Sequence, residues 1–241
     1  VHDVGWAAVS APGEGSVAVV TGADRGIGRE VVRVLAARGV RTVLGSRDEE
    51  RGRAAARGLV GDVVVRRLDV TVQDDVDALA AELRAGPGRL DVLVNNAGVH
   101  YDAGQSAVTA DLRVVREALE TNVVGAWRTA VALAPLVPRG GRIVNVSSGA
   151  GSFGETGGAG GAPAYSVSKA ALDMLTVKLA ADLAGRGVLV NAVCPGWVAT
   201  DMGGPGGRPV AEGAASVLYA VDLPDDGPTG TLTRDGHPIP W

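Results

Sequence analysis

The run Val17-Ala18-Val19-Val20-Thr21-Gly22-Ala23-Asp24-Arg25-Gly26-Ile27-Gly28 decides the fold. Its first four residues are uninterrupted apolar sequence, as expected of a strand buried on both faces of a parallel sheet. From residue 28 to 38 the chain turns to helix formers with apolar positions at helical spacing. Between strand and helix, glycines at 22, 26 and 28 allow a tight turn and let the backbone come close to a pyrophosphate at the helix amino terminus. The spacing differs from the common G-x-G-x-x-G form, but the strand before and the helix after make it a dinucleotide-binding turn rather than a stray glycine cluster.

Outward from that run the same alternation repeats. Short β-branched stretches at 42–44, 63–68, 90–94, 142–146 and 189–193 read as strands, with 229–233 a weaker seventh. Helical periodicity covers 49–57, 72–85, 110–136, 164–184 and 209–220. The fold class expected is α/β: a doubly wound Rossmann fold, one domain over 16–241, with a provisionally seven-stranded parallel sheet flanked by helices on both faces. Residues 1–15 read as a loose leader. The Gly-rich stretches 149–163 and 203–209 follow strands, so they belong near the strand carboxyl ends where open α/β sheets bind ligands.

Composition narrows the function. A net charge of -4 and a pI near 5.4 argue against nucleic-acid binding, which needs a basic face. No apolar run is long enough for a membrane span, and the start lacks the pattern of a secretory signal. Cys194 alone excludes an intramolecular disulfide, and a reducing cytoplasm fits. The histidines are scattered, with no metal-ligand spacing, so the chemistry expected is metal-free and the partner a small molecule.

An NAD-preferring site places an acidic side chain about 20 residues beyond the glycines, at the end of the second strand. Here that region reads Leu44-Gly45-Ser46-Arg47. Arg47, with Arg25 in the glycine loop, can form charge-assisted hydrogen bonds to a 2′-phosphate, which points to NADPH/NADP+. The other readings are that both arginines are solvated surface charges, or that Asp48 is the acidic determinant.

Tyr165 and Lys169 stand four apart at the start of a helix and therefore project from one face. A nearby ammonium and the positive ring of an oxidised nicotinamide would favour the phenolate, drawing Tyr165 toward a useful pKa. Ser147 and Ser148 end the fifth strand, where a hydroxyl can hydrogen-bond a substrate carbonyl. Trp197, Met202, Phe153 and His100 leave strand carboxyl ends and either line an apolar substrate pocket or serve ordinary packing.

Together with Asn95-Asn96-Ala97-Gly98 after the fourth strand, Asn122 in a long helix and Pro195-Gly196 after the sixth, these features resemble the short-chain dehydrogenase/reductase family from residue 17 to about 241. The resemblance implies a catalytic tetrad of Asn122, Ser148, Tyr165 and Lys169. In it Tyr165 donates the proton in reduction, Lys169 also holds the nicotinamide ribose, and Asn122 supports a water-linked proton path. It also implies that Gly22, Arg25, Gly26, Ile27, Gly28 and Arg47 contact the cofactor. Asp69 and Val70 would border adenine, Asn96, Ala97 and Gly98 the adjoining ribose, and Val198 and Thr200, after Pro195 and Gly196, the carboxamide. Asp69 could instead cap the following helix. Ser148 lies farther upstream of Tyr165 than in compact members.

The segments Ser46-Arg47-Asp48, 194–202 and Glu212-Gly213-Ala214 look like the carbonyl-reductase branch, which implies NADPH-dependent reduction of an aldehyde or ketone, with Trp197 and Met202 beside Ser148 at the substrate. Alcohol oxidation, reduction of a carrier-bound ketoacyl group and a non-catalytic NADPH-binding regulator are the competing functions. The family also implies a homo-oligomer, dimer or tetramer, with monomers known in this branch.

Overall fold

The computed structural model describes residues 11–156 and 160–241. Most of the expected leader, and residues 157–159 of the Gly-rich stretch 149–163, lie outside the described residues. Residues 11–15 lead into the first strand through a turn closed by Ser16 N–H donating to Gly13 O at 3.0 Å.

The strands are β1 (Val17–Val20), β2 (Arg41–Ser46), β3 (Val63–Arg67), β4 (Val92–Asn95), β5 (Arg142–Val146), β6 (Leu189–Val193), β7 (Leu232–Arg234) and β8 (His237–Pro238). The α-helices are α1 (Gly26–Ala37), α2 (Glu49–Ala56), α3 (Gln73–Ala85), α4 (Leu112–Leu119), α5 (Ala126–Leu133), α6 (Phe153–Thr156), α7 (Pro163–Leu183) and α8 (Val210–Val221). Among the described residues the strands form one sheet in the order β3-β2-β1-β4-β5-β6-β7-β8. Chain direction across the sheet reverses between β1 and β4, the switch point at which such sheets open a ligand crevice.

The single domain and parallel sheet expected from the sequence are present, with one addition. β7 turns through Asp235 and Gly236, both at positive φ (53° and 78°), into the short antiparallel β8, making eight strands rather than seven. Asp-Gly is a hairpin-turn signal, and the two residues of β8 are too few to register as a run.

Alternation along the strands feeds two cores. Val17 and Val19 face the layer of α3, α5 and α7, with Leu79, Leu83, Leu133, Ile143 and Leu183. Ala18 and Val20 face α1 and α8, with Val31, Val32, Leu35, Val217 and Val221. Each fully buried Val or Leu contributes about 1.5–3 kcal/mol of transfer free energy, so α1 is held by its apolar stripe.

The helix expected over 110–136 is interrupted. Glu120–Gly125 form one turn of π-helix between α4 and α5, and Ala134–Leu136 close as a 3₁₀ turn. Helical periodicity runs through such an insertion with little visible change, and single π turns are frequent at functional sites. Among the described residues no helix is long and apolar enough to cross a membrane.

Candidate active site

The glycine loop leaves β1 and enters α1 against the end of β4. Gly22 and Gly26 have φ of 59° and 53°, where a side chain would be strained. A Cβ on Gly22 would stand 2.8 Å from Ala97 Cα, and one on Gly28 would stand 2.4 Å from Asn96 Nδ2. Asn96 explains the tightness: its Nδ2 donates to Thr21 O (3.0 Å) and Gly22 O (2.9 Å), and its backbone N–H donates to Thr21 Oγ1 (3.0 Å). The side chain of Asn96 is therefore a brace for the loop. Arg25, the N-cap of α1, makes no side-chain cap hydrogen bond, and no acidic residue lies in the first turn. The free N–H groups and positive dipole end of α1 suit an anion.

A cleft of about 2270 Å³ runs along the carboxyl ends of the strands. It is larger than the several hundred Å³ of a single small-ligand pocket, leaving room for a dinucleotide and a further molecule. All the expected cofactor residues line it except Gly28, which packs beneath the loop. Arg25, Arg47 and Arg51 line it; Arg25 pairs with Asp201 at 3.0 Å and Arg51 with Asp24 at 3.0 Å, while Arg47 has no ion-pair partner among the described residues. Asp48 does not line the cleft but caps α2, its Oδ1 accepting from Arg51 N–H at 3.1 Å. Asp69 does not cap the following helix either. Its Oδ1 accepts from Thr71 N–H (2.9 Å) and Thr71 Oγ1 (2.7 Å) in a local turn, while the N-cap of α3 is Val72.

Ser148, Tyr165 and Lys169 also line the cleft, on a hydrogen-bonded frame. Thr129 Oγ1 donates to Asn95 Oδ1 (2.6 Å), Asn95 Nδ2 to Asn145 Oδ1 (2.9 Å), and Asn145 Nδ2 to Thr176 Oγ1 (2.9 Å). All four residues are buried, so this chain of bonds fixes the ends of β4 and β5 between α5 and α7. Asn122 lies in the π turn behind the cleft. Its Oδ1 accepts from Val99 N–H (2.8 Å), and its Nδ2 donates to Val99 O (3.0 Å) and Ser168 Oγ (2.8 Å). It ties the segment after β4 to the helix that carries Tyr165 and Lys169.

Lys169 is buried, donates from Nζ to Val146 O at 2.7 Å, and stands 5.5 Å above the Tyr165 ring. Burial pulls its pKa down to about 8 against the favourable field of Asp173. Burial pushes the Tyr165 phenol up to about 12, outweighing the lowering effect of the nearby Ser148 hydroxyl. The lowered phenol pKa expected from the sequence is therefore not met by these protein groups, because loss of water dominates.

Asp173, one turn beyond Lys169, escapes sequence reading because nothing marks a lone helical acid as buried. Neither of its carboxyl oxygens has a hydrogen-bond partner among the described residues. Burial pushes its pKa up to about 7, and neither the adjacent Ser147 hydroxyl, which does not reach hydrogen-bond geometry, nor Lys169 offsets that. From its ordinary value of 3.8 up to about 7 the folded chain keeps a proton that the unfolded chain releases, so this group's contribution to stability is lost as pH rises through that window. Lys169 acts in the opposite sense, its contribution being lost as pH falls from 10.5 through about 8. Asp173→Asn should therefore gain melting temperature relative to wild type between pH 5 and 7.5. A difference that stays constant across that range would remove Asp173 from this account.

At the substrate end, the segment after β6 folds back on itself, Ala199 N–H donating to Arg208 O (2.9 Å) and Arg208 N–H to Trp197 O (2.8 Å). Trp197, Met202 and His100 line the cleft, whereas Phe153 does not and is 83% exposed. Phe153 follows a 3₁₀ turn, Gly149–Gly151, that directs it outward, so its position after a strand was misleading.

The comparisons agree with this geometry. A family model of short chain dehydrogenases matches residues 16–208. Carbonyl reductase (NADPH) 1 of Bos taurus is 34% identical, across 93% of this chain and 98% of its own length. The 3-oxoacyl-acyl-carrier-protein reductase of Escherichia coli K12 is 36% identical, across 78% of this chain and 76% of its own. The NADPH-bound carbonyl reductase from chicken fatty liver superposes with a TM-score of 0.81 at 28% identity, covering 95% of this chain and 100% of that one. A glycine-loop crevice at the switch point, the Ser148, Tyr165 and Lys169 cluster, and these matches together establish that the chain belongs to the short-chain dehydrogenase/reductase family of oxidoreductases, in its carbonyl-reductase-like branch.

Proposed function

We propose that the chain reduces an aldehyde or ketone to an alcohol with NADPH. The observation that carries this reading is one cleft that holds both the Ser148, Tyr165 and Lys169 cluster and Arg47, a cation with no ion-pair partner among the described residues. In reduction the Tyr165 phenol donates its proton to the developing alkoxide; alcohol oxidation runs the same transfer in reverse.

Bound NADPH supplies the hydride. Gly22, Gly26 and the free N–H groups of α1 seat its pyrophosphate, with Asp69 and Val70 at adenine and Pro195, Gly196, Val198 and Thr200 at the nicotinamide end. Tyr165 donates its proton to the carbonyl oxygen while the Ser148 hydroxyl hydrogen-bonds the same oxygen. Lys169, one of its three N–H groups held by Val146 O, keeps two for the ribose hydroxyls. Asn122 Oδ1 lies on the Gly98 side facing Lys169 and supports a water-linked return of the proton to Tyr165.

NADPH consumption with a panel of aldehydes and ketones tests the reading, with NADH as control. Arg47 has no ion-pair partner among the described residues, so Arg47→Asp should cut the NADPH-to-NADH preference by about tenfold or more. An unchanged preference would overturn the assignment of Arg47 to the 2′-phosphate. Carrier-bound ketoacyl substrates rank lower, because Arg208, the arginine beside the Gly-rich mouth, is neutralised by Asp235 at 2.9 Å. A non-catalytic regulator ranks lower still, since all four tetrad positions are occupied.

The reducing cytoplasm remains the proposed setting for a chain whose one cysteine is free and buried. Self-association is proposed on the neighbouring helices α5 and α7, where Trp127 and Val131, and Val167 and Met174, are exposed.

A further inference from the structure

The segment following β4 carries a second pair of functional groups that the tetrad does not use. Asp102 is buried, and its Oδ2 accepts from the backbone N–H groups of Ala164 (2.6 Å) and Tyr165 (3.3 Å). A carboxylate from a distant loop therefore caps the helix that bears Tyr165, where Ala162 at the N-cap position offers no side-chain cap. The other oxygen, Oδ1, is buried without a partner among the described residues, and so is Nε2 of His100, which stands 3.8 Å away. Two unsatisfied buried polar atoms facing each other are costly, and a small imidazole rotation would join them.

His100 is also fixed in place. Val99, immediately before it, is held through both its N–H and its carbonyl by Asn122, and Asp102 is pinned to α7. The imidazole lies against the Tyr165 ring, with centroids 4.6 Å apart and planes tilted 33°, and it borders the cleft.

We infer that His100 is a specificity-determining residue, oriented by Asp102 so that its Nδ1 accepts a hydrogen bond from a hydroxyl on the carbon next to the reacting carbonyl. The substrate class is then α-hydroxy ketones and aldehydes. A carboxylate can only accept, so closing the Asp102 contact requires the proton on Nε2, which leaves the Nδ1 lone pair for the cleft. Because the imidazole stacks on the phenol that protonates the carbonyl, a group reaching Nδ1 must be adjacent to that carbonyl rather than remote from it. This inference rests on the carbonyl-reductase reading and deepens it.

The test compares kcat/KM for phenacyl alcohol with that for propiophenone, which replaces the hydroxyl by a methyl group of similar size, in wild type, His100→Phe and Asp102→Asn. Wild type should favour phenacyl alcohol by about tenfold, and His100→Phe, which keeps a ring against Tyr165, should abolish the preference. An amide at 102 still accepts from α7 but can donate to Nε2, moving the imidazole proton to Nδ1. Asp102→Asn should therefore shrink the advantage of phenacyl alcohol over its methyl ether, which can only accept. Turnover of both ketones with one ratio in wild type and in folded, NADPH-binding His100→Phe would overturn this inference alone. Failure of wild type to reduce any carbonyl of the wider panel would overturn the carbonyl-reductase reading and this inference with it.

Discussion

Tyr165→Phe should lower NADPH-dependent carbonyl turnover by about 10²–10⁴-fold while leaving NADPH binding and the fold in place. The removed atom is the hydroxyl alone. The ring that packs against His100 at 4.6 Å and under the Lys169 ammonium at 5.5 Å is retained, so no cavity opens and α7 keeps its Asp102 cap. What is lost is the hydroxyl proton that Tyr165 holds next to the Ser148 hydroxyl. Steady-state turnover beside a fluorescence titration of NADPH separates the two effects. Turnover within tenfold of wild type would remove Tyr165 as donor, whereas loss of binding as well would assign the residue a structural role.

Gly28→Ala should weaken NADPH binding by at least about tenfold and destabilise the protein by about 1–3 kcal/mol, a large effect for one methyl group. The new Cβ would lie 2.4 Å from Asn96 Nδ2 and 2.9 Å from Gly22 O. Gly22 O is backbone and cannot swing aside, and Asn96 can yield only by giving up its bonds to Thr21 O and Gly22 O. Either way the loop that seats the pyrophosphate loses its brace. The same methyl group at Gly185, away from the cleft and with nothing among the described residues within 4 Å, is a control that should leave binding unchanged. Binding by Gly28→Ala equal to wild type would mean that the loop yields without cost and that Asn96 is no brace.

Local sequence was enough for whatever depends on local spacing. The apolar runs that form β1 to β6, the glycine turn into α1 and the four-residue separation of Tyr165 and Lys169 are properties of contiguous chain, and they carried the fold and most of the cleft. Boundaries at breaks in periodicity were less legible: the π turn Glu120–Gly125 and the two-residue Asp235-Gly236 hairpin turn are short segments within longer patterns.

Tertiary structure alone decided what each polar side chain does, because that depends on partners far along the chain and on exclusion of water. Asn96 lines the cleft and also braces a turn 74 residues away, and Asp48, the apparent rival to Arg47, caps its own helix. Asp102 reaches the N–H of Ala164 across 62 residues, and Asp173 acquires its raised pKa only because the fold buries it behind Ser147 and Lys169. Hydrophobic periodicity is written into neighbouring residues, so the sequence by itself determined the layers, the sheet and the location of the crevice. Desolvation and long-range hydrogen bonds are properties of the packed molecule, and they shift the proton affinities of Tyr165, Lys169 and Asp173 and set His100 against the Tyr165 ring.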